Sequence, residues 1–129
     1  MAEAKALLVD GRAQVKAALE GIQAETAFSV RQSWPRTEND GVLITYGEYS
    51  NVSTECSVVD SVSYQVDIWA FDRETVVTLS ALVNQAMTEL GLKRTYSGPD
   101  GVSSAGLGYE HKQFRFGRKV DKRTMRLVD

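Results

Sequence analysis

The thiol of Cys56 and the imidazole of His111 are the side chains best suited to nucleophilic catalysis in this sequence, and each is the only one of its type. A nucleophile and its base need only be close in space, so the two could in principle form a catalytic pair. Neither has sequence neighbours that mark it as activated. We therefore expect Cys56 to be a small filler near a strand end and His111 to be a polar strand residue. A small enzyme that uses both residues is the alternative.

Metal and phosphate sites are not predicted by the residue types present. A structural zinc site needs several Cys or His ligands, and one of each cannot supply them within a single chain. Gly106-Leu107-Gly108 leads into a strand pattern, whereas a pyrophosphate-binding loop opens a helix. Aspartates fall in predicted turns and at strand ends, where Asp is common for backbone reasons: Asp40, Asp60, Asp67 and Asp72. We expect no catalytic residue, no metal and no cofactor, and no enzymatic activity.

A basic stretch over residues 111–119 places cations beside Phe114 and Phe116, a combination shared with proteins that bind single-stranded nucleic acid. The chain nevertheless carries a net charge of −2, whereas dedicated nucleic-acid-binding domains are usually strongly basic. A nucleic-acid-binding module using the basic C-terminal hairpin therefore remains an alternative function. Its cations would be Arg115, Arg118, Lys119 and Lys122.

Length and composition predict one domain over residues 1–129. A chain of 129 residues, with 43% hydrophobic and 25% charged residues, has the size and composition of a single globular domain. The lone cysteine cannot form an internal disulfide, which favours a reducing compartment. No apolar run approaches the length of a membrane helix, and the N-terminus lacks the apolar core of a secretory signal. We therefore expect no membrane association.

Hydrophobic periodicity predicts two helices, over about residues 2–23 and 73–90. Asp72 is a suitable N-cap for the second helix, and Gly91 is placed to end it in the left-handed conformation. Strands are predicted over 27–31, 42–46, 61–71 and 92–97, followed by a closing hairpin over 109–116 and 120–128 with its turn at Gly117. This order predicts an α+β fold, a mostly antiparallel sheet with two helices packed on one face.

Two segments are predicted to be mobile loops, the polar segment near residues 48–60 and the segment near 97–108. The first could also be strand ends around a long hairpin loop. The second is rich in glycine and serine, which favours a turn or loop over a packed element. Both segments could become ordered on contact with a partner, and the entropy cost of that ordering would oppose premature assembly.

The strand over residues 61–71 has the clearest alternation in the sequence. Val62, Val66 and Ile68 lie on the face expected to meet the helices, whereas Trp69 and Phe71 lie on the other. An exposed Trp–Phe pair is a liability, so either a bulge turns both residues inward or another molecule covers that face. We expect Trp69 and Phe71 to anchor an interface, with the core as the alternative, because large aromatic residues dominate interface energetics.

The order of these segments resembles the tail terminator, or tail-to-head joining, proteins of long-tailed bacteriophages and prophages. The run Ser-Tyr-Gln-Val-Asp-Ile-Trp-Ala at residues 63–70 leads directly into a helix that ends near Leu90-Gly91, and these two features carry most of the resemblance. Three further segments complete the order: Ser33-Trp34-Pro35, Ile44–Glu48 and Tyr109–Phe116. The resemblance covers roughly residues 28–118.

The resemblance implies a structural virion protein that forms a ring, usually of six subunits, at the head-proximal end of the tail. Such a ring ends tail-tube growth and joins the tail to the head connector, and DNA passes through its lumen without sequence-specific binding. Its partners are other copies, the tail tube protein and the connector or stopper protein, and it assembles in the host cytoplasm. A head-completion or stopper subunit is the nearest alternative.

The charge distribution is compatible with ring formation. Residues 1–64 carry nine acids and five bases, and residues 65–129 carry eight acids and ten bases, so the halves have opposite net charge. A closed ring needs two different complementary patches on each copy, and opposite charges suit such head-to-tail contact. We expect Arg115, Arg118 and Lys119 to face the lumen or a neighbouring subunit.

Overall fold

The computed structural model describes residues 11–37, 40–55, 58–99, 101–102 and 108–123, which form two helices and a mostly antiparallel sheet. The predicted α+β class is confirmed. The elements, in chain order, are α1 (Arg12–Glu20), β1 (Ser29–Arg31), β2 (Leu43–Ser53), β3 (Val59–Ala70), α2 (Arg73–Glu89), β4 (Lys93–Ser97), β5 (Gly101–Val102) and β6 (Glu110–Asp121).

The sheet has the order β1-β2-β3-β6-β4, and β5 pairs with β6 beyond the end of β4. Only β1 pairs in parallel, with β2, and the other described pairings are antiparallel. The long strands β3 and β6 stay in register from the Val59–Asp121 pair to the Ala70–Glu110 pair. Because this register is unbroken, alternate side chains of β3 point consistently to opposite faces of the sheet.

Both helices pack on the face formed by the even-numbered residues of β3, as the alternation predicts. The buried apolar residues of α1 and α2 belong to the same core as those of the sheet. From the helices come Val15, Leu19, Val76, Leu79, Val83 and Met87, and from β3 come Val62, Tyr64, Val66, Ile68 and Ala70. The opposite face, which carries the odd-numbered residues of β3 and their neighbours on β2, β4 and β6, is called the far face below.

Local sequence signals set the ends of α2. The Asp72 carboxylate accepts a hydrogen bond from the Thr75 backbone N–H at 2.9 Å, so Asp72 is the N-cap. Gly91 has a φ of 96°, the left-handed conformation expected after a helix end. The described part of the first helix is shorter than predicted: α1 begins after Gly11, whose N–H donates to the Tyr64 hydroxyl at 2.8 Å. The predicted helical residues 2–10 lie outside the described residues.

Among the predicted loops and turns, the turn at Gly117 is wrong, and both predicted loops contain strand residues. Residues 48–53 and 59–60 belong to β2 and β3, so the first segment consists mostly of strand ends around a hairpin connection, as the sequence allowed. Cys56 and Ser57 lie outside the described residues. The segment after β4 contains β5, and the buried Gly98 N–H donates to the Gln113 carbonyl at 2.8 Å. Finally, no turn occurs at Gly117, because β6 continues through it to Asp121. In each case a long partner strand extends the pairing past residues with weak strand propensity.

Gly117 is required inside β6 by a close approach to the neighbouring strand. A Cβ atom at this position would lie 2.9 Å from the Val62 carbonyl oxygen, a backbone atom that cannot move alone. We expect Gly117→Ala to lower the free energy of unfolding by about 1–3 kcal/mol, as overpacking does. Gly47→Ala in β2 is the matched control, because nothing lies within 4 Å of the added atom. Urea unfolding of both variants checks this; equal stability would contradict it.

Neither described helix is long and apolar enough to cross a membrane.

Candidate functional site

Trp69 lies on the far face but is fully buried there by this chain's own residues. Its ring stacks on His111 at a centroid distance of 3.9 Å and contacts the Tyr109 ring edge at 6.2 Å. Trp34, from the loop between β1 and β2, lies over it at 5.1 Å. The Trp69 Nε1–H donates to the Thr45 hydroxyl at 3.0 Å. No bulge in β3 is involved, and no second molecule is needed to shield Trp69 from water.

The loop that carries Trp34 is held closed by Asp40. One carboxylate oxygen of Asp40 accepts hydrogen bonds from the backbone N–H groups of Arg36, at 2.7 Å, and Thr37, at 3.1 Å, and from the Arg31 guanidinium at 3.0 Å. The Tyr109 hydroxyl donates to the Gly41 carbonyl at 2.9 Å and fixes the other end of the loop. The described part of this loop, residues 32–37 and 40–42, therefore acts as a cover over one end of the far face.

These hydrogen bonds predict an acid-dependent opening of the cover. The backbone N–H groups of Arg36 and Thr37, with Arg31, lower the pKa of Asp40 from 3.8 to about 2. Because folding lowers this pKa, the ionised carboxylate stabilises the closed loop above pH 3.8, and that stabilisation is lost as the pH falls through about 2. We expect the tryptophan emission to shift towards that of exposed tryptophan over this interval.

Variants at two aspartates check this interpretation. Asp40→Asn should show the shifted emission already at neutral pH and should lose the acid transition. Asp121 also has a pKa lowered to about 2, by Arg123, but it pairs with Val59 at the opposite end of β3 from Trp69. Asp121→Asn should therefore leave the emission titration unchanged. An identical titration in the wild type and Asp40→Asn would contradict the role of Asp40.

His111 forms a structural pair with a buried carboxylate. Its Nε2 atom lies 2.9 Å from Oδ2 of Asp67, and the Asp67 side chain is 2% exposed. Gln113 donates to the same oxygen at 3.5 Å. Held between Asp67 and the Trp69 ring, His111 is a polar strand residue, as expected. Cys56 lies outside the described residues, so its distance from His111 is not defined.

Arg115 occupies the uncovered end of the far face, between two exposed tyrosine rings. Its guanidinium carbon lies 3.9 Å from the Tyr49 ring centroid and 4.5 Å from that of Tyr96. Its Nε–H donates to the Gln65 side chain at 3.4 Å. The register explains the arrangement. Arg115 pairs with Gln65 on one side and Tyr96 on the other, and an irregularity between Arg94 and Tyr96 brings Tyr96 to this face, whereas Tyr49 follows Gly47 there by simple alternation.

Large exposed apolar side chains are concentrated on this side of the molecule. Among the described residues there are six, and only Val77 lies on a helix. Phe71, just after β3, is 49% exposed and stacks on Tyr109 at 4.3 Å. The remaining four on the far face or its cover are Trp34, Tyr49, Val52 and Tyr96. Exposed aromatic residues together with arginine have the composition of a protein interface.

The four cations of the predicted basic hairpin do not form one patch. Arg115 and Lys119 point to the far face, whereas Arg118 pairs with Val62 and points to the helix side. Lys122 is 4% exposed and lies 3.5 Å from the equally buried Asp60 carboxylate. The interface residues expected from the sequence do not all lie on one accessible surface. Phe71, Arg115 and Lys119 are accessible on the far side, Trp69 lies beneath the cover loop, and Arg118 lies on the helix side.

Sequence reasoning missed Trp34, Tyr49 and Tyr96 as parts of this surface. Tyr49 lies in a segment predicted as a loop, so no sheet face was assigned to it, although it continues the alternation of Thr45 and Gly47. Tyr96 lies in a predicted strand, but an irregularity between Arg94 and Tyr96 places it beside Arg115, on the face opposite to the one that simple alternation from Arg94 predicts. Within the described ranges, no three metal-ligating side chains come together.

Comparison with known proteins adds no relative. No protein-family model matches the chain, and no curated protein sequence matches it.

Proposed function

We propose that this protein is a structural virion protein of a long-tailed phage or prophage. It assembles with other copies into a ring, with six as the expected number, that ends tail-tube growth and joins the tail to the head connector. In this role it contacts the tail tube protein and the connector or stopper protein, and DNA passes through the lumen without sequence-specific recognition. It assembles in the host cytoplasm and resides at the head-proximal end of the tail.

The observation that carries this proposal is the uncovered end of the far face, where exposed aromatic residues surround Arg115. Such a surface has the residue types that dominate protein–protein binding energies. The order of strands and helices adds support, because it agrees with the α+β arrangement that the sequence resemblance implies. The phage setting itself rests on that resemblance.

The alternatives receive less support. A nucleic-acid-binding module needs several cations that contact phosphates together, whereas Lys122 is buried in an ion pair and Arg118 lies on the helix side. A head-completion or stopper subunit would use the same kind of interface, and the tube experiment below distinguishes it.

The test uses purified tail tube protein that polymerises in vitro. We expect added protein to stop tube growth and to appear by electron microscopy as a ring on one tube end, with a mass by light scattering that gives the subunit number. Unchanged tube growth with rings that bind connector would favour the stopper alternative. Unchanged growth with no rings in any mixture would overturn the proposal.

A further inference from the structure

We propose that the uncovered end of the far face of one copy binds the helical layer of a second copy, with Arg115 holding the Glu89 carboxylate beside the groove between α1 and α2. This inference rests on the proposed ring function and identifies its subunit contact. The occupant is another copy of this chain, bound head to tail.

Arg115 is already arranged to receive a carboxylate. The Tyr49 and Tyr96 ring centroids both lie within 4.5 Å of its guanidinium carbon, and Gln65 accepts a hydrogen bond from Nε. Among the described residues, no acceptor contacts either Nη group. A guanidinium held in one plane can bind both oxygens of a carboxylate side by side. Because the side chain is already immobilised, binding costs less conformational entropy than for an exposed arginine.

The surroundings favour a protein carboxylate over nucleic acid. Arg31, at the covered end, is paired with Asp40. Besides Arg115, the register places Lys93 and Lys119 as the other described cations on this face, and the positions next to Arg115 are uncharged serines and glutamines. Affinity for nucleic acid comes from many simultaneous phosphate contacts, which three separated cations supply poorly. Exposed tyrosines around one ordered arginine instead resemble the centre of a protein interface.

Charge decides which surface of the second copy fits. If two far faces were in contact, Arg115 of one copy would lie near Arg115 of the other, and like charges in an interface are costly. The helical layer carries the exposed carboxylates of the described helices, Glu20, Glu74 and Glu89. A contact between the far face and the helical layer uses two different patches, and such head-to-tail contacts close into rings when the rotation permits.

Glu89 is selected because it borders an apolar groove that suits the tyrosines. The groove has a volume of about 490 Å³, and Glu89 lies at its rim. Gln85 donates to one oxygen of Glu89 at 3.2 Å from the preceding turn of α2. The apolar lining comes from Ala17, Ala18, Ile22, Leu82, Ala86 and Leu90. A tyrosine ring can bury its apolar body there while Arg115 reaches the carboxylate.

The test is a charge swap, read by sedimentation of the free protein and by ring formation on tail tubes. We expect Arg115→Glu and Glu89→Arg each to weaken self-association about 100-fold, and the double variant to restore it to within about tenfold. Arg115→Lys should be intermediate, because it keeps the charge but loses the planar fork. Lys119→Glu is the matched control, with the same charge change on the same strand, and should weaken association by less than about tenfold.

Each outcome has a defined meaning. Thermal unfolding shows whether Arg115→Glu disturbs the sheet. If it does, Glu89→Arg still tests the contact, because Glu89 is an exposed helix residue. If both single variants assemble as the wild type does, or if the double variant gives no restoration, the proposed contact is wrong while the ring function stands. If the wild type neither self-associates nor caps tubes, both the contact and the ring function are wrong.

Discussion

Lys122→Met should lower the free energy of unfolding by about 3–5 kcal/mol, because it leaves the Asp60 carboxylate buried without its cation. The two side chains are only 4% and 5% exposed, and their charged atoms lie 3.5 Å apart. The Asp60 Oδ1 atom is buried and has no hydrogen bond among the described residues, so Lys122 is the group that compensates its charge. Urea unfolding monitored by circular dichroism measures the loss.

Two further variants separate the ion pair from general effects of the substitution. Lys119→Met removes an exposed lysine of β6, three residues before Lys122, and should change stability by no more than about 0.5 kcal/mol. Replacing both partners, as Asp60→Leu with Lys122→Met, should recover most of the stability, since an apolar pair leaves no unpaired charge. A double variant as unstable as Lys122→Met alone would show that the loss comes from packing and not from the uncompensated carboxylate.

Trp69→Ala should also cost about 3–5 kcal/mol, the usual loss for a large aromatic residue removed from a packed interior. Trp69 is fully buried between His111, Tyr109, Leu43 and the cover loop, and its removal leaves a cavity beneath that loop at the covered end of the far face. The Thr45 hydroxyl also loses its donor. The same loss in the free energy of unfolding is expected at any protein concentration, because the cavity forms inside one subunit.

Two control variants, and measurements on the monomer, separate a role of Trp69 in folding from a role in assembly. Val77→Ala, an exposed position on α2, should change stability by no more than about 0.5 kcal/mol. Trp69→Phe should lose less than Trp69→Ala, because it keeps an aromatic ring and loses mainly the indole donor. A Trp69→Ala variant that unfolds like the wild type when monomeric, and fails only in ring assembly, would mean that Trp69 contacts another subunit after all.

The burial of Trp69 changes the basis of the assembly argument. From the sequence, an aromatic pair on the far face required either a bulge or another molecule to cover it. The structure provides a third answer, a loop of the same chain closed by Asp40 and Tyr109. The surface that supports an interface is therefore the uncovered end of that face, where Arg115 lies between Tyr49 and Tyr96.

The sequence by itself determined the elements whose signals are local. Asp72 and Gly91 mark the ends of α2 because capping depends on neighbouring backbone groups. The alternation from Val62 to Ala70 identified the helix-facing side of β3, because a pleated strand points successive side chains to opposite faces. These signals were sufficient to predict the α+β class with both helices on one face.

Only the tertiary structure decided the features that depend on which strands pair and in what register. The continuity of β6 through Gly117, the burial of Lys122 against Asp60 and the placement of Arg115 between two tyrosines all join residues distant in sequence. Local propensity carries no information about such partners, and irregularities in β2 and β4 reverse the alternation from which faces are predicted, as at Tyr96.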